Sequence, residues 1–433
     1  MKEEIKKING GVKGLLGDVT VPGDKSITHR AIIFSSVAEG KSRISGISLG
    51  MDCLSTVGAF RQMGIKIGIK GTEAVIEGNG FGGLKEPDNI IDVGNSGTSI
   101  RLLTGLLSAQ DFVSVLTGDS SIRKRPMGRV ISPMKLMGAK IYARENGTKA
   151  PITIIGGKLK PIDYVSPVAS AQVKSAIILA ALQTKGKTTI KEPLLSRNHS
   201  EKMLRHYGAD ISAKGTTVIV TGGKPLHACD FTVPGDFSSA AFMIAAAMIM
   251  KSSRLRILNV GINPTRTGFL TALSKMGGRV KIINKRMSGG EACADIIAEN
   301  SKLKGINFTA SLVPSTIDEF PIFFILAALA DGVTTVKGIE ELRHKESDRI
   351  AGMAEGLRKM GVKVEDGPDW IRIEGTRKLM GTEINANLDH RIAMSFSIAA
   401  LIAEGQTTIR GTECVKTSFP GFYEILKNLT GGR

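Results

Sequence analysis

Cysteine is scarce in this chain. Cys53, Cys229, Cys293 and Cys414 are the four in 433 residues, far apart and without CxxC or Cys/His spacing. That spacing excludes a disulfide framework and a structural zinc site, and the reading is a reducing, cytoplasmic setting. Aromatic residues are also thin, at 5% with one Trp and four Tyr, which leaves few stacking platforms for single-stranded nucleic acid. No apolar run spans a bilayer: the longest, residues 240–250, falls well short of the ~20 residues required. The first residues, MKEEIKKINGG, are charged and lack a signal peptide's apolar core. HExxH, DxDxDG and GxSxG do not occur, so metalloprotease, EF-hand and hydrolase-elbow readings have no support.

Three near-motifs also fail on context. GNGFGG (residues 78–83) fits GxGxxG, but LKEPDN follows where a helix should open. GKS (40–42) and GKT (186–188) lack the upstream Gly of a P-loop and precede strand-like segments.

What the chain does have is positive charge, +18 from 58 Lys and Arg against 40 Asp and Glu. The basic residues are spread along the sequence rather than gathered in a tract. That distribution fits an enzyme of phosphorylated, carboxylated substrates better than a nucleic-acid binder.

The chain also repeats itself. Six times a polar cluster runs into an apolar stretch: KSITHR, NSGTSIR, SAQVKS, PGDFSS, DEFP and DHRIAM, each before an Ala/Ile/Leu/Met/Phe-rich run. Runs of this composition read as buried helices, which places the clusters at helix N-termini, where free N–H groups and the dipole attract anions. A turn and short strand follow each run, as in KGKTTIKEP and EGQTTIRGTE. In five copies a second amphipathic helix then closes on Gly before another strand, as in LRKMGVKVED; the sixth ends at GFYEILKNL. The sixth copy's missing strands are expected from the N-terminal IKKINGGVKGLLGDVTV, which has no helix of its own.

The unit is helix, strand, helix, strand, strand, about every 70 residues. Three such units make a domain of about 200 residues, so six make two. VPGD occurs at residues 21–24 and 233–236, and we read both as crossings between lobes. One lobe is then 21–236 and the other 1–20 plus 237–433, with the active site in the cleft between them.

Chemistry-bearing residues sit in these clusters. Lys25, Ser26 and Arg30 in PGDKSITHR offer hydroxyl, dipole and guanidinium to one phosphate. Gly97 in NSGTSIR allows close backbone approach, and Arg125 lies in the basic loop GDSSIRKRPMG. Ser170 and Gln172 in VASAQVKS, and Ser196 and Arg197 in LSRNHSE, add neutral donors and a cation. Asp318 and Glu319 precede a very apolar helix, where they serve as caps or accept a substrate proton. In HKESDR a helical reading puts Lys345 and Arg349 at i, i+4 and Glu346 and Arg349 at i, i+3, on one face. Asp389, His390 and Arg391 open the last of the six helices.

In this order, PGDKSITHR, GNSGTSIRLL, GDSSIRKRPMG, SAQVKSA, DEFP, RHKESDR, DHRIAM and SFPGF resemble the 5-enolpyruvylshikimate-3-phosphate synthase family, bacterial type, through essentially the whole chain. The resemblance implies a two-lobed inside-out α/β barrel of six repeated α/β units, three per lobe. It implies transfer of the enolpyruvyl group of phosphoenolpyruvate to the 5-hydroxyl of shikimate 3-phosphate, with release of phosphate and with neither metal nor organic cofactor. By motif position, Lys25 meets both substrates. Ser26, Arg30, Ser170 and Ser196 hold shikimate 3-phosphate, together with Asp318 and Lys345. Gly97, Arg125, Gln172, Arg349, His390 and Arg391 hold phosphoenolpyruvate. Asp318 takes the hydroxyl proton, Lys345 bridges the substrates, and Glu346 handles the proton at the methylene carbon. A monomer with no nucleic-acid or membrane partner is expected.

Several positions depart from the family pattern. Thr417, next to Lys416, stands where many members carry a phosphoenolpyruvate-binding Lys. Glu341 replaces an Asn and Ala171 a Ser. Ser96 and Leu102 replace the Ala and Pro common in the glyphosate-sensitive class, which points to reduced sensitivity. Two alternatives are kept. The sister transferase acting on UDP-N-acetylglucosamine carries Lys-Asn at the first helix and a loop Cys that GDSSIRKRPMG lacks. An RNA-binding or RNA 3′-end-processing protein is the reading from another class.

Overall fold

Each of the six apolar runs is a helix in the computed structural model, which describes residues 3–431. We number them α1 (Lys25–Ser36), α2 (Gly97–Leu107), α3 (Ala171–Leu182), α4 (Phe237–Ile249), α5 (Phe320–Ala328) and α6 (His390–Ala400). Helices apolar on every face belong in a core, and here even their polar first turns are largely buried. Side-chain caps start five of them: Asp24, Ser96, Ser170, Asp236 and Asp389 each accept a first-turn backbone N–H. At α5 the cap position is Glu319, and its carboxylate makes no capping bond.

The chain divides into two compact units. One comprises Gly23–Pro234 with Met287–Glu291; the other comprises the stretch up to Pro22, Gly235–Arg286 and the chain from Ala292 on. The first unit has three four-stranded sheets, ordered 231–232, 39–45, 73–79, 66–70; then 91–92, 113–117, 149–155, 140–143; then 163–165, 186–191, 217–222, 210–214. In each, the strand that follows the buried helix has a parallel edge strand on one side and an antiparallel hairpin on the other. The second unit varies the scheme, with one four-stranded sheet ordered 279–288, 291–299, 254–261, 16–20 and two three-stranded sheets ordered 333–337, 370–374, 363–366 and 5–9, 406–410, 383–385.

Two edge strands are exchanged. In a regular repeat, the strand before each buried helix pairs with the strand after it, as 91–92 does with 113–117 and 163–165 with 186–191. The strand before α1 (Leu16–Thr20) instead pairs with the strand after α4 (Arg254–Gly261). The strand before α4 (Phe231–Thr232) pairs with the strand after α1 (Glu39–Ser45). The exchange falls at the two VPGD segments, where Asp24 N donates to Pro234 O at 2.7 Å and Asp236 N to Pro22 O at 2.8 Å. Of the two N-terminal strands expected to complete the sixth sheet, one does so: Ile5–Asn9 runs antiparallel to Gln406–Arg410, whereas Leu16–Thr20 belongs to the sheet of Arg254–Gly261.

Each unit packs its own core. In the first, α2 crosses α3 so closely that a Cβ on Gly105 would fall 2.2 Å from Ala176 O. In the second, Phe320 and Phe323 of α5 pack against Phe308, and Phe324 stacks on Phe320. Among the described residues, no helix is long and apolar enough to cross a membrane. No group of three or more His, Cys, Asp or Glu among them is placed to hold a metal ion.

Candidate active site

In the first unit, the polar starts of α1, α2 and α3 carry the anion-binding candidates. Asp24 caps α1, and Lys25 follows with its Nζ 3.0 Å from Asp52 Oδ2. Arg30, one turn on, is buried. Its Nε donates to Ser200 Oγ at 2.7 Å, Nη2 to Ser175 Oγ at 2.9 Å and Nη1 to the Ser26 carbonyl at 3.0 Å. Burial pulls this guanidinium down to about 10, against the pull of Glu201. His29 between them is buried, with Nδ1 2.7 Å from Thr56 Oγ1. Desolvation, with Lys25 and Arg30 adding to it, holds its ring well below the ordinary histidine value. The positive charge of this cluster therefore comes from Lys25 and Arg30.

At α2 the reason for a glycine is explicit. A Cβ on Gly97 would lie 2.7 Å from Arg125 Nη1 and 2.9 Å from Arg101 Nη1. Two guanidinium groups thus converge on one helix N-terminus, which is the geometry an anion needs. Arg101 fixes its neighbours: Nη1 donates to Gln172 Oε1 at 2.8 Å and to Gly97 O at 3.2 Å, and Nη2 to Pro126 O at 3.2 Å. Because Gln172 Oε1 accepts from Arg101, its Nε2 is the donating end, and it reaches Thr98 Oγ1 at 3.1 Å.

At α3 a buried carboxylate organises the serines. Glu192 accepts from Ser170 N at 3.0 Å and from Ser196 Oγ at 2.8 Å. Lys174 lies 2.8 Å from both Glu192 and Glu201, and the three side chains are only 1%, 2% and 2% exposed. Glu201 follows Ser200, the partner of Arg30, so the α1 and α3 clusters are joined.

In the second unit, Asp318 sits among arginines. Its Oδ1 is 3.6 Å from Arg349 Nη1, and its Oδ2 is 3.4 Å from Arg266 Nη1 and 3.9 Å from Arg391 Nη2. Arg391 also donates to the Asp318 carbonyl at 2.8 Å. Arg349 is the hub: its Nη2 meets Glu346 at 2.5 Å, and its Nε meets Asp389 at 2.8 Å. Asp389 itself is fully buried, accepts from Ser347 Oγ at 3.2 Å and caps α6 through Arg391 N. These anions hold the Arg349 guanidinium above its ordinary value although burial opposes them. His390, buried, opens α6. Lys345 is partly buried, 3.5 Å from Glu341. Desolvation lowers its amine from the ordinary lysine value, with Asp318, Glu341 and Glu346 opposing.

The structure corrects two readings of local geometry. Lys345 and Glu346 are not on a helix. The helix starts at Arg349, capped by Asp348, and Lys345 is extended after a 3-10 turn. Lys345 therefore pairs backwards with Glu341, while Glu346 reaches Arg349 from a loop. Nor do Asp318 and Glu319 cap α5. They lie in a turn after the short helix Val313–Thr316, and Glu319 is drawn sideways to Ser238 Oγ and Arg266. Of the C-terminal pair, Lys416 is 64% exposed and bound to Glu4 at 3.0 Å, and Thr417 Oγ1 is bonded back to Cys414 O.

Sequence reasoning missed Arg266, Arg101, Lys174, Glu192 and Asp52 as members of these clusters. Arg266 and Glu192 stand outside the six helix starts, so the repeat gave no signal for them. Arg101 and Lys174 lie one turn inside helix starts, at the i+4 spacing that marked Arg30, and were legible by that rule.

Comparison with known proteins shows the family. The family model for EPSP synthase (3-phosphoshikimate 1-carboxyvinyltransferase) matches residues 10–426. The 3-phosphoshikimate 1-carboxyvinyltransferase of Geobacter metallireducens is 50% identical over 96% of this chain and 97% of its own length. That of Thermodesulfovibrio yellowstonii is 49% identical over 99% of this chain and 100% of its own. The solved EPSP synthase of Acinetobacter baumannii superposes with a TM-score of 0.89 at 47% identity, covering 99% of this chain and 98% of that one. The enolpyruvyl transferase NikO of Streptomyces tendae, at 21% identity and a TM-score of 0.80, covers 99% of this chain and 97% of its own and shares the fold. These matches do not favour the UDP-N-acetylglucosamine or RNA readings. The chain is an α/β enzyme that belongs to the EPSP synthase (3-phosphoshikimate 1-carboxyvinyltransferase) family.

Proposed function

We propose that this enzyme transfers the enolpyruvyl group of phosphoenolpyruvate to the 5-hydroxyl of shikimate 3-phosphate, as a cytoplasmic monomer whose two clusters act on one pair of substrates. The observation that carries the reading is that Arg349 brings together two of the candidate carboxylates. Asp318 and Glu346 both contact it, yet they sit in different settings beside Lys345, which suits two groups that exchange acid and base roles.

In the first unit, Lys25, Ser26, Arg30, Ser170 and Ser196 hold shikimate 3-phosphate. Gly97, Arg125 and Gln172 receive phosphoenolpyruvate, joined from the second unit by Arg349, His390 and Arg391. Glu346 delivers a proton to the methylene carbon, while Asp318 takes the proton of the 5-hydroxyl as its oxygen bonds to C2. A tetrahedral intermediate results. A proton then leaves the new methyl group, the C–O bond to phosphate breaks, and the double bond is restored as phosphate departs. Lys345 and the arginines stabilise the charge that gathers on the leaving group.

The test is release of inorganic phosphate by the purified protein. Release is expected only when both substrates are present; release with UDP-N-acetylglucosamine in place of shikimate 3-phosphate would overturn the reading. Asp318→Asn and Glu346→Gln are each expected to lower kcat by about a hundredfold or more, with Michaelis constants changed little. Near-normal rates in both would remove the proton-transfer assignment.

A further inference from the structure

One buried group beside Asp318 has no place in that scheme. Arg266 lies in the loop before the helix Gly268–Lys275. The loop is fixed: Thr265 N and Oγ1 both bond Asn263 Oδ1, at 3.0 and 2.9 Å, and Arg266 N donates to Asn263 O at 2.8 Å. The Arg266 side chain is 4% exposed, and its guanidinium is forked. Nη1 faces Asp318 Oδ2 at 3.4 Å, while Nη2 donates to Ser238 Oγ at 2.6 Å and lies 3.4 Å from Glu319 Oε1 and 3.8 Å from Asp236 Oδ1. Ser238 in turn donates to Glu319. One edge of the guanidinium is thus pinned to the start of α4 and to Glu319, and the other is presented to one oxygen of Asp318. Arg349 takes the opposite oxygen, Oδ1.

We propose that Arg266 is the positioning residue for Asp318: it fixes the rotation of the carboxylate and keeps it ionised until the substrate hydroxyl gives up its proton. The argument rests on the reading of Asp318 as the base. Two features suit Arg266 to this task. A guanidinium held by Ser238 does not follow the carboxylate when Asp318 is protonated, so the geometry persists through the step. Asp236 and Glu319 also remain beside it, so protonating Asp318 does not leave Arg266 as an uncompensated buried cation. The charged and titratable groups that face Asp318 include Arg266, Arg349, Arg391, Lys345 and Glu319, with Asp236 behind Arg266.

The experiment is steady-state kinetics of full-length Arg266→Gln, Arg266→Lys and Ser238→Ala across pH, beside Asp318→Asn. Losing one charge-assisted bond corresponds to a roughly ten- to hundredfold change. Arg266→Gln is expected to lower kcat by that factor, to leave both Michaelis constants within about threefold, and to move the acid limb of kcat upward by about one pH unit, since removing a neighbouring cation raises a carboxylate's pKa. Arg266→Lys keeps the charge and loses the fork, so kcat falls less and the acid limb stays near that of the parent. An acid limb in Arg266→Gln that coincides with the parent's overturns the proposal. If that variant does not fold, full parental rates in both Arg266→Lys and Ser238→Ala overturn it instead. Should Asp318→Asn retain its rate, the base assignment fails on its own, whatever Arg266 does.

Discussion

Lys174→Met tests whether the buried triad of the first unit holds the substrate serines in place. Lys174 is 2.8 Å from each of Glu192 and Glu201, and none of the three side chains is more than 2% exposed. Methionine fills much the same volume but leaves two carboxylates together without a cation. Breaking a buried pair from one side costs about 3–5 kcal/mol. With a urea slope of about 2–3 kcal/mol/M for a unit of this size, the midpoint for the first unit falls by roughly 1–2.5 M. Trp370, the single tryptophan, lies in the other unit, so its fluorescence is the wrong probe. Amide exchange along α3 and the helix His199–His206 reports the loss directly. The triple change Lys174→Met, Glu192→Gln, Glu201→Gln removes the uncompensated charge and should recover at least half of the lost stability. Activity separates the two roles of Glu192. It also accepts from Ser170 N and Ser196 Oγ, so the triple variant should still show a raised Michaelis constant for shikimate 3-phosphate. A midpoint within about 0.3 M of the parent for Lys174→Met, or no recovery in the triple variant, refutes the reasoning.

Other outcomes follow from single contacts. Arg125→Ala should raise the Michaelis constant for phosphoenolpyruvate by roughly ten- to a hundredfold, the value of one charged hydrogen bond; an unchanged constant removes Arg125 from the site. Gly105→Ala forces a methyl against the Ala176 backbone, where neither helix can yield, and should destabilise the first unit by about 1–3 kcal/mol in urea melts. Lys345 carries a lowered pKa, chiefly from desolvation, so the alkaline limb of kcat should fall below the ordinary lysine range, and Lys345→Arg should move it above pH 11. The corresponding stability term has a definite sign. The folded chain sheds this proton before the unfolded chain does, so the penalty for burying the charged amine is felt in full below the folded pKa and is relieved as pH rises towards the unfolded one. Glu319 runs the other way. Burial raises its pKa, so its contribution falls as pH rises through the ordinary carboxylate value, and Glu319→Gln should flatten that slope in melts from pH 4 to pH 7.

The repeat was legible because it rests on hydrophobic period and turn chemistry, both local. The six buried helices and the N-terminal strand beside Gln406–Arg410 could be read that way. The exchange of edge strands at the VPGD segments was not readable, because nothing in the N-terminal segment marks which sheet each of its strands joins, and Leu16–Thr20 goes to Arg254–Gly261. Local geometry failed where polar residues are dense. HKESDR has helical spacing, but Asp348 competes for the backbone as a cap and delays the helix to Arg349. Asp318 and Glu319 looked like caps because the helix dipole favours acids there, yet Arg266, from a distant loop, draws them into ion pairs. Tertiary charge of this kind leaves no trace in spacing.

The exchanged and borrowed strands also bear on how the chain is made. The first unit runs almost unbroken from Gly23 to Pro234, so its three sheets can assemble while the ribosome is still producing the second half. The second unit has no such freedom. Its strand Ile5–Asn9 pairs with Gln406–Arg410, and so emerges long before its partner. Loop closure over such a distance is slow. Until then the edge of Gln406–Arg410 and the strand meant for it are both open to foreign pairing. The order of synthesis therefore makes the strand Ile5–Asn9 the piece whose late docking completes the second unit.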